Sequence, residues 1–507
     1  MVRDFESMTG FFSDKNNSRT LAQGKWGLEK ESLRIIRTGE LALTPHPAVF
    51  GDKIENSFIK TDFSESQIEM ITPAVDSIEE ADEFLKYLHS VVERGIGDEL
   101  LWPLSMPGQL PAEDRIPAAR FNQTEDGIEK EIYRSGLALR YGKKMQMISG
   151  IHYNFSFSME LWELLHKKFS PESELKTFVN DSYFALARNF IRYRWLLLYL
   201  FGASPSGAFS CADEKESGSR DTGSCIADHD QVPSDATTLR MSSFGYDGGL
   251  REKYTVSYNS IKEYVRDLRG ILSEKSLNYS RLGIFREGRQ VQLNDNILQT
   301  ENEFYAPLRF KRIGIKGKTQ LDNLEEDGVQ YMELRIFDLN PFYVTGISLE
   351  QLYFIHLFII YCLFENSDPL TDEEFNEAEM NAQLTAIRGR DDTLLLKDAA
   401  GTSSISDRGM YILNKMRIIA AMLDEVKGGG MYQKAVDHEY MVLNDKELLP
   451  SSWIAREMKK YDESHEEFGL RRASENRYYF CMDEINASGS IISGNNHNTE
   501  SSRFSAS

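Results

Sequence analysis

In SGIHYNFSF, residues 149–157, polar and apolar positions alternate. Gly150, His152, Asn154 and Ser156 fall on one side; Ile151, Tyr153, Phe155 and Phe157 fall on the other. A period of two marks a strand with one face in a core and one face polar. QYMELRIF, residues 330–337, repeats the pattern, with Tyr331, Glu333 and Arg335 opposed to Met332, Leu334 and Ile336. GLEKESLRII, residues 27–36, is also strand-like and sets Glu29 and Glu31 on one face. Helical patterns lie between these segments. Ser77-Ile78-Glu79-Glu80 has capping-box spacing and opens a helix to about Arg94. Tyr183–Phe201, ending at Gly202, and Leu349–Phe364 read as buried helices, and Ser260 to about Glu274 as another. Strands alternate with helices, but the glycine-rich turns of βαβ units are missing. The pattern predicts an α+β fold, an antiparallel sheet with helices packed on one side.

The polar faces share one kind of chemistry. Glu29 and Glu31 lie on one strand, Asp62 in TDFSE, Glu69 in QIEMITP, His152 on a third segment and Glu333 on a fourth. Taken singly, each acid reads as a solvated strand residue. Repetition on four candidate strands points instead to one acidic site. Five carboxylates and a histidine on one face repel one another unless cations compensate them. Oxygen-rich donors suit magnesium or manganese, which also bridge nucleotide phosphates. Arg240, Arg309, Lys311, Arg312 and Arg335 are near enough in the pattern to neutralise phosphate or carboxylate groups. Other phosphate-binding motifs fail. IGIKGKT, residues 313–319, has the wrong glycine spacing for a P-loop, and Gly428-Gly429-Gly430 reads as a turn.

The 507 residues carry a net charge of −21, which argues against nucleic acid as a partner. The four cysteines are too few and too scattered for a disulfide framework, so a cytoplasmic setting is expected. Cys211, Cys225 and His229 share one polar loop but fit no zinc spacing. No segment reads as a signal peptide or a comfortable membrane span, so no membrane partner is expected. Residues 206–236, rich in Ser, Asp and Gly, are expected to form a variable surface loop, and 486–507 a disordered tail.

The segments GLEKESLR, TDFSESQIEMITP, WPLSMP, ISGIHYNFSF, YLFGASP, LRMSSFGY, ENEFYAPLR and YMELRIFDLNPF follow one another in this order. Together they resemble the bacterial type 1 glutamate–cysteine ligase (γ-glutamylcysteine synthetase) family, from about Gly24 to Phe342 and more weakly to about residue 480. The resemblance implies a glutamine-synthetase-like fold with a funnel-shaped, mainly antiparallel sheet, and one catalytic domain over 1–485. It implies ATP-dependent formation of γ-glutamylcysteine from L-glutamate and L-cysteine through a γ-glutamyl phosphate, the first step of glutathione biosynthesis. By motif position, Glu29, Glu31, Asp62, Glu69, His152 and Glu333 would hold Mg2+ or Mn2+, with ATP as co-substrate. Arg335 would steady the transferring phosphoryl group and Arg240 a substrate carboxylate. Tyr133, Leu137, Gln146, Tyr246 and Tyr305 match the cysteine pocket. A γ-glutamyl ligase serving another amine acceptor or thiol pathway would show the same catalytic motifs. A catalytically dead relative would have lost some of the metal-site acids, and none is missing.

Overall fold

The computed structural model describes residues 4–207, 233–245, 254–314, 317–399 and 401–492, with only the backbone described from 481 onward. Its strands are β1 (Gly24–Ile35), β2 (Ile59–Thr61), β3 (Gln67–Ile71), β4 (Leu100–Leu101), β5 (Ile151–Phe157), β6 (Phe285–Arg286), β7 (Arg289–Gln290), β8 (Leu308–Lys311), β9 (Tyr331–Phe337), β10 (Leu395–Asp398) and β11 (Gly401–Ser404). Seven of them form one sheet in the order β2-β3-β1-β5-β9-β8, with β4 paired to the end of β1. Every pairing in that sheet is antiparallel, as the alternation predicts. β6–β7 and β10–β11 are separate hairpins.

One face of the sheet is a hydrophobic core. Trp26, Leu28, Ile151, Tyr153, Phe155, Met332 and Leu334 are buried there. The helix Leu349–Phe364 lies against it, and every residue from Gln351 to Phe364 is buried. Its His356 packs between Trp26 and Phe155, with ring centroids 5.2 and 4.9 Å away. Total burial explains why this helix looks apolar on all sides. Among the described residues no helix is long and apolar enough to cross a membrane.

The helix Ile78–Gly95 begins where expected. Ser77 Oγ accepts the Glu80 N–H at 3.1 Å. The Glu80 carboxylate reaches the Asp76 N–H at 3.2 Å rather than closing a capping box on Ser77. Ile261–Ser273 is likewise helical and capped by Ser260. The single helix expected over Tyr183–Phe201 is two, Leu175–Tyr193 and Trp195–Phe201. The break falls at Arg194, whose guanidinium donates to Ile191 O at 2.8 Å and pairs with Glu379. Gly428, Gly429 and Gly430 all have positive φ and form the turn between two helices, as read from sequence.

Two further expectations meet the structure at their edges. The helix His465–Ile492 enters the segment expected to be a disordered tail, and 493–507 lie outside the described residues. Of the loop 206–236, Ser206, Gly207 and 233–236 are described. Ala236 is buried and Ser206 Oγ meets His465 Nδ1 at 3.0 Å, so the described ends of this loop are anchored in the body of the protein. Cys211 and Cys225 lie outside the described residues.

Leu334 stands between Glu333 and Arg335 but points into the core, paired with Tyr153 on one side and Leu308 on the other. It is fully buried, so Leu334→Ala should cost about 2–5 kcal/mol. The urea midpoint should fall with an unchanged m-value; an unchanged midpoint contradicts this placement.

Candidate active site

The opposite face of the sheet collects the acids. In the β1–β3 ladder Glu31 lies directly across from Glu69. In the β1–β5 ladder Glu29 lies across from His152. Glu333 on β9 is across from Asn154 on β5 and Arg309 on β8. Asp62 follows β2. Like charges directly opposite on a sheet are destabilising, so this arrangement is costly unless compensated.

Compensation differs along the face. At its β5–β9 side, His152 Nδ1 lies 3.0 Å from Glu29 Oε2 and 3.6 Å from Glu333 Oε1. Asn154 Nδ2 donates to Glu29 Oε1 at 2.9 Å. Arg335 Nη1 pairs with Glu333, and Lys311 Nζ lies 3.2 Å from its other oxygen. Burial opposes the charge on Glu333, but Arg335 and Lys311 outweigh it and hold its carboxyl well below the usual range. Burial likewise pushes Glu29 up, yet the His152 hydrogen bond leaves it below its usual value. Burial, and then Arg335, lowers His152, which keeps the imidazole neutral at pH 7.

The β1–β3 side has less help. Burial and Asp62 push Glu31 up to about 8, against the pull of Arg240 and Arg335. Glu31 Oε2 accepts the Gly150 N–H at 3.0 Å. Glu69 is raised well above its usual value by burial, Asp62, Glu29 and Glu31, against only Lys60. Both carboxyls are therefore pushed toward the protonated form. His152 joins the two halves, its Nε2 lying 3.8 Å from Glu31 Oε1.

Ligand atoms of Glu29, His152 and Glu333 all lie within 4.8 Å of one another. Two carboxylates and a neutral imidazole at that spacing are a donor set that could hold a hard divalent cation. Glu31, Asp62 and Glu69 are adjacent to this group but outside it. They lie near enough to one another for their charges to raise the Glu31 and Glu69 carboxyls.

Arg335 is aimed by a register irregularity. The pairs Ile151↔Phe337 and Tyr153↔Leu334 leave one extra residue on β9, opposite His152. Such bulges bend a strand and redirect a side chain. The carbonyl of Arg335 accepts Arg240 Nη2 and the Tyr305 hydroxyl, each at 3.0 Å. Its guanidinium lies over the Tyr305 ring, 5.7 Å from the centroid. Alternation alone did not reveal this bulge.

The other sequence candidates are placed as follows. Arg240 is fully buried and its guanidinium lies against Gly150. Tyr133 and Leu137 lie one turn apart on the helix Glu125–Tyr141, and Leu137 packs on a cluster containing Trp102, Leu104 and Met147. Gln146 lies in the short helical turn Met145–Met147. Tyr246 lies outside the described residues. Arg312 does not join the acids: it donates to the carbonyls of Asp327 and Gly328. Arg309 is committed to the carbonyls of Asn302 and Phe304. Sequence reasoning missed Asn154, although it shares the polar face with His152. It also missed Arg134, whose Nε donates to Asp62 O at 2.6 Å. Helical spacing places Arg134 beside Tyr133, but nothing local says that it reaches another element.

A family model described as glutamate-cysteine ligase matches residues 10–385. The chain belongs to the glutamate–cysteine ligase family. It is 46% identical over 475 residues to a glutamate–cysteine ligase of Clostridium acetobutylicum, covering 92% of this chain and 99% of the relative. It is 37% identical over 486 residues to one from Janthinobacterium, covering 95% and 91%. The crystal structure of glutamate–cysteine ligase from Francisella tularensis, in complex with AMP, superposes with a TM-score of 0.81 at 29% identity, covering 94% of this chain and 96% of that one. A bifunctional glutathione synthetase from Pasteurella multocida superposes with a TM-score of 0.73 at 29% identity, covering 93% of this chain and 55% of that one.

A prediction follows from the packing of Gly150. A Cβ there would lie 2.1 Å from Arg240 Nη2 and 2.4 Å from its Cζ. The guanidinium is fully enclosed, so Gly150→Ala should cost about 1–3 kcal/mol by overpacking. Chemical denaturation should show it; wild-type stability in this variant would mean that Arg240 does not lie against Gly150.

Proposed function

We propose that this chain joins the γ-carboxylate of L-glutamate to the amine of L-cysteine, driven by ATP, on the acidic face of the sheet. Membership of the glutamate–cysteine ligase family supports the reaction. The convergence of Glu29, His152 and Glu333 beside Arg335 supports its location, and is the observation on which that location rests.

The γ-carboxylate oxygen attacks the γ-phosphorus of ATP, and ADP leaves. The resulting γ-glutamyl phosphate is attacked at its carbonyl carbon by the cysteine amine. The amine loses a proton and phosphate departs. Both steps concentrate negative charge, and such chemistry is catalysed mainly by positioning and charge neutralisation. Bound magnesium or manganese ions would supply most of that neutralisation when held by Glu29, Glu31, Asp62, Glu69, His152 and Glu333. Asn154 holds Glu29 in orientation, and Lys311 with Arg335 holds Glu333. Arg335 presents its positive charge next to the acids, where a phosphoryl group in transfer would lie. Arg240 supports it from behind, through its hydrogen bond to the Arg335 carbonyl and its charge beneath Glu31. The helix carrying Tyr133 and Leu137, with Gln146 and Tyr305, forms the acceptor pocket in this reading.

Phosphate release from ATP should need both glutamate and cysteine for full rate, and putrescine should not replace cysteine. A faster rate with putrescine would favour a ligase for another amine. Glu69→Gln is the cleaner site test, because burial and the neighbouring acids push Glu69 toward the protonated form, with which glutamine is nearly isosteric. Its stability should stay near wild type while kcat falls by about 10²–10³, roughly 3–4 kcal/mol of transition-state stabilisation. Glu333→Gln should lose both, since it leaves the half-buried Arg335 charge and Lys311 without their carboxylate, a change of about 1–3 kcal/mol. Near-normal turnover in either variant contradicts the location.

A further inference from the structure

The acceptor pocket, on the reading above, has walls from two separate pieces of chain. Tyr133 and Leu137 come from the helix Glu125–Tyr141, and Tyr305 from the end of a segment that starts near Gln292. The pocket's width is therefore set by whatever joins these pieces. Two contacts do so.

The first is a notch in the helix. Gly136 lies between Tyr133 and Leu137 and has no side chain. A Cβ there would lie 2.0 Å from Gln299 Oε1 and 2.6 Å from its Nε2. The amide of Gln299 thus occupies the space that any other residue would fill. From the notch its Nε2 donates to the carbonyl of Tyr133 at 3.2 Å, and its Oε1 accepts the Leu293 N–H at 3.1 Å. Gln299 is 5% exposed. The second contact lies one turn on. Arg140 and Glu303 form an ion pair at 3.0 Å, with side chains 0% and 1% exposed. Arg140 also donates to Gln292 Oε1 and to the carbonyl of Asn294, both at 2.8 Å. Glu303 in turn accepts the Tyr141 hydroxyl at 2.8 Å and the backbone N–H of Gln299. The ion pair thereby fixes the backbone that delivers Gln299 to the notch, and its Glu303 lies two residues before Tyr305.

We propose that Gln299, seated in the notch left by Gly136, is a positioning residue that sets the distance between the two walls of the acceptor pocket and so the fit of the amine substrate. It touches no substrate. It acts through the Tyr133 backbone on one wall and through the 299–305 segment on the other.

Gly136→Ala tests this, at an overpacking cost like that expected at Gly150. The displaced group is the end of a flexible side chain, and alanine is the better helix former. The KM for cysteine should rise about tenfold, the size of effect expected from a small misfit in a substrate pocket. The KM values for ATP and glutamate and the kcat at saturating cysteine should stay within about twofold. Gln299→Ala should raise the cysteine KM similarly. The double variant Gly136→Ala/Gln299→Ala should be no worse than Gln299→Ala alone, because the added methyl then has nothing to displace. Equal rises in all three KM values, an additive double variant, or an unchanged cysteine KM would overturn the proposal. If Gly136→Ala does not fold, Gln299→Ala decides by the same KM pattern. Leu137→Ala separates the two levels of inference. An unchanged cysteine KM in that variant means the pocket itself is elsewhere, and both readings fall. A raised KM there, with no change in Gly136→Ala and Gln299→Ala, leaves the pocket standing and removes the positioning role.

Discussion

Like charge held out of water on one sheet face is the constraint around which the rest of the protein is arranged. Glu31 faces Glu69 across a ladder, with Asp62 and Glu29 close by, and none of these positions is forced by packing. Burial makes the repulsion worse, because low dielectric disfavours every ionised carboxyl. A core of aromatic and aliphatic side chains on the reverse face supplies the folding energy that such a face does not. Where permanent cations reach the acids, at Glu333 with Arg335 and Lys311, the carboxylate stays ionised. At Glu31 and Glu69 burial and the neighbouring acids outweigh the pull of Arg240, Arg335 and Lys60, and both carboxyls are pushed toward the protonated form. The site is therefore held ionised on one side and pushed toward protonation on the other, and a polyvalent cation is the ligand that would displace such protons.

The same arrangement explains the layering behind the acids. Arg240 is fully buried, its charge lowers the Glu31 carboxyl, and it donates to the Arg335 carbonyl. The bulge on β9 makes that carbonyl available and directs Arg335 toward His152 and Glu333. Gly150 allows the approach from below, and Gly136 allows Gln299 to reach the Tyr133 backbone from the side. In both places a missing side chain lets a polar group cross between elements.

The strands β5 and β9 and the helix Leu349–Phe364 were legible in the sequence because each has a strong local pattern, alternation in the strands and unbroken apolar character in the helix. The acids were legible for the same reason, since a period of two decides which face each one joins. Sequence pattern did not reveal which acids would share a cluster, because strand order and register depend on distant pairings. It therefore did not separate Glu29, His152 and Glu333 from Glu31, Asp62 and Glu69. Nor could it see that Arg312 would be spent on the carbonyls of Asp327 and Gly328, or that Arg134 would reach Asp62 O across 72 residues. On the core side of β1, Lys30 is buried against His89, and Arg34 is held by Glu99 and the carbonyls of Thr44, Pro45 and Glu65. Alternation marks those two positions as inward-facing without showing what would receive their charges.

The central claim is that divalent cations replace protons on this face, and proton release measures it directly. Burial and Asp62 raise Glu31 to about 8, burial with Asp62, Glu29 and Glu31 raises Glu69 well above its usual value, and burial with Arg335 lowers His152, so the two carboxyls hold protons more readily than free ones and the imidazole less readily. Metal ligands must be deprotonated, so binding expels these protons. Addition of Mg2+ or Mn2+ to the protein with a non-hydrolysable ATP analogue, in weak buffer at pH 7, should release between about one and two protons per chain beyond the analogue's own release. Glu69→Gln should lower that number by about one, since the glutamine has no proton to give. Metal binding with no proton release, or with the same release in Glu69→Gln, would contradict the account.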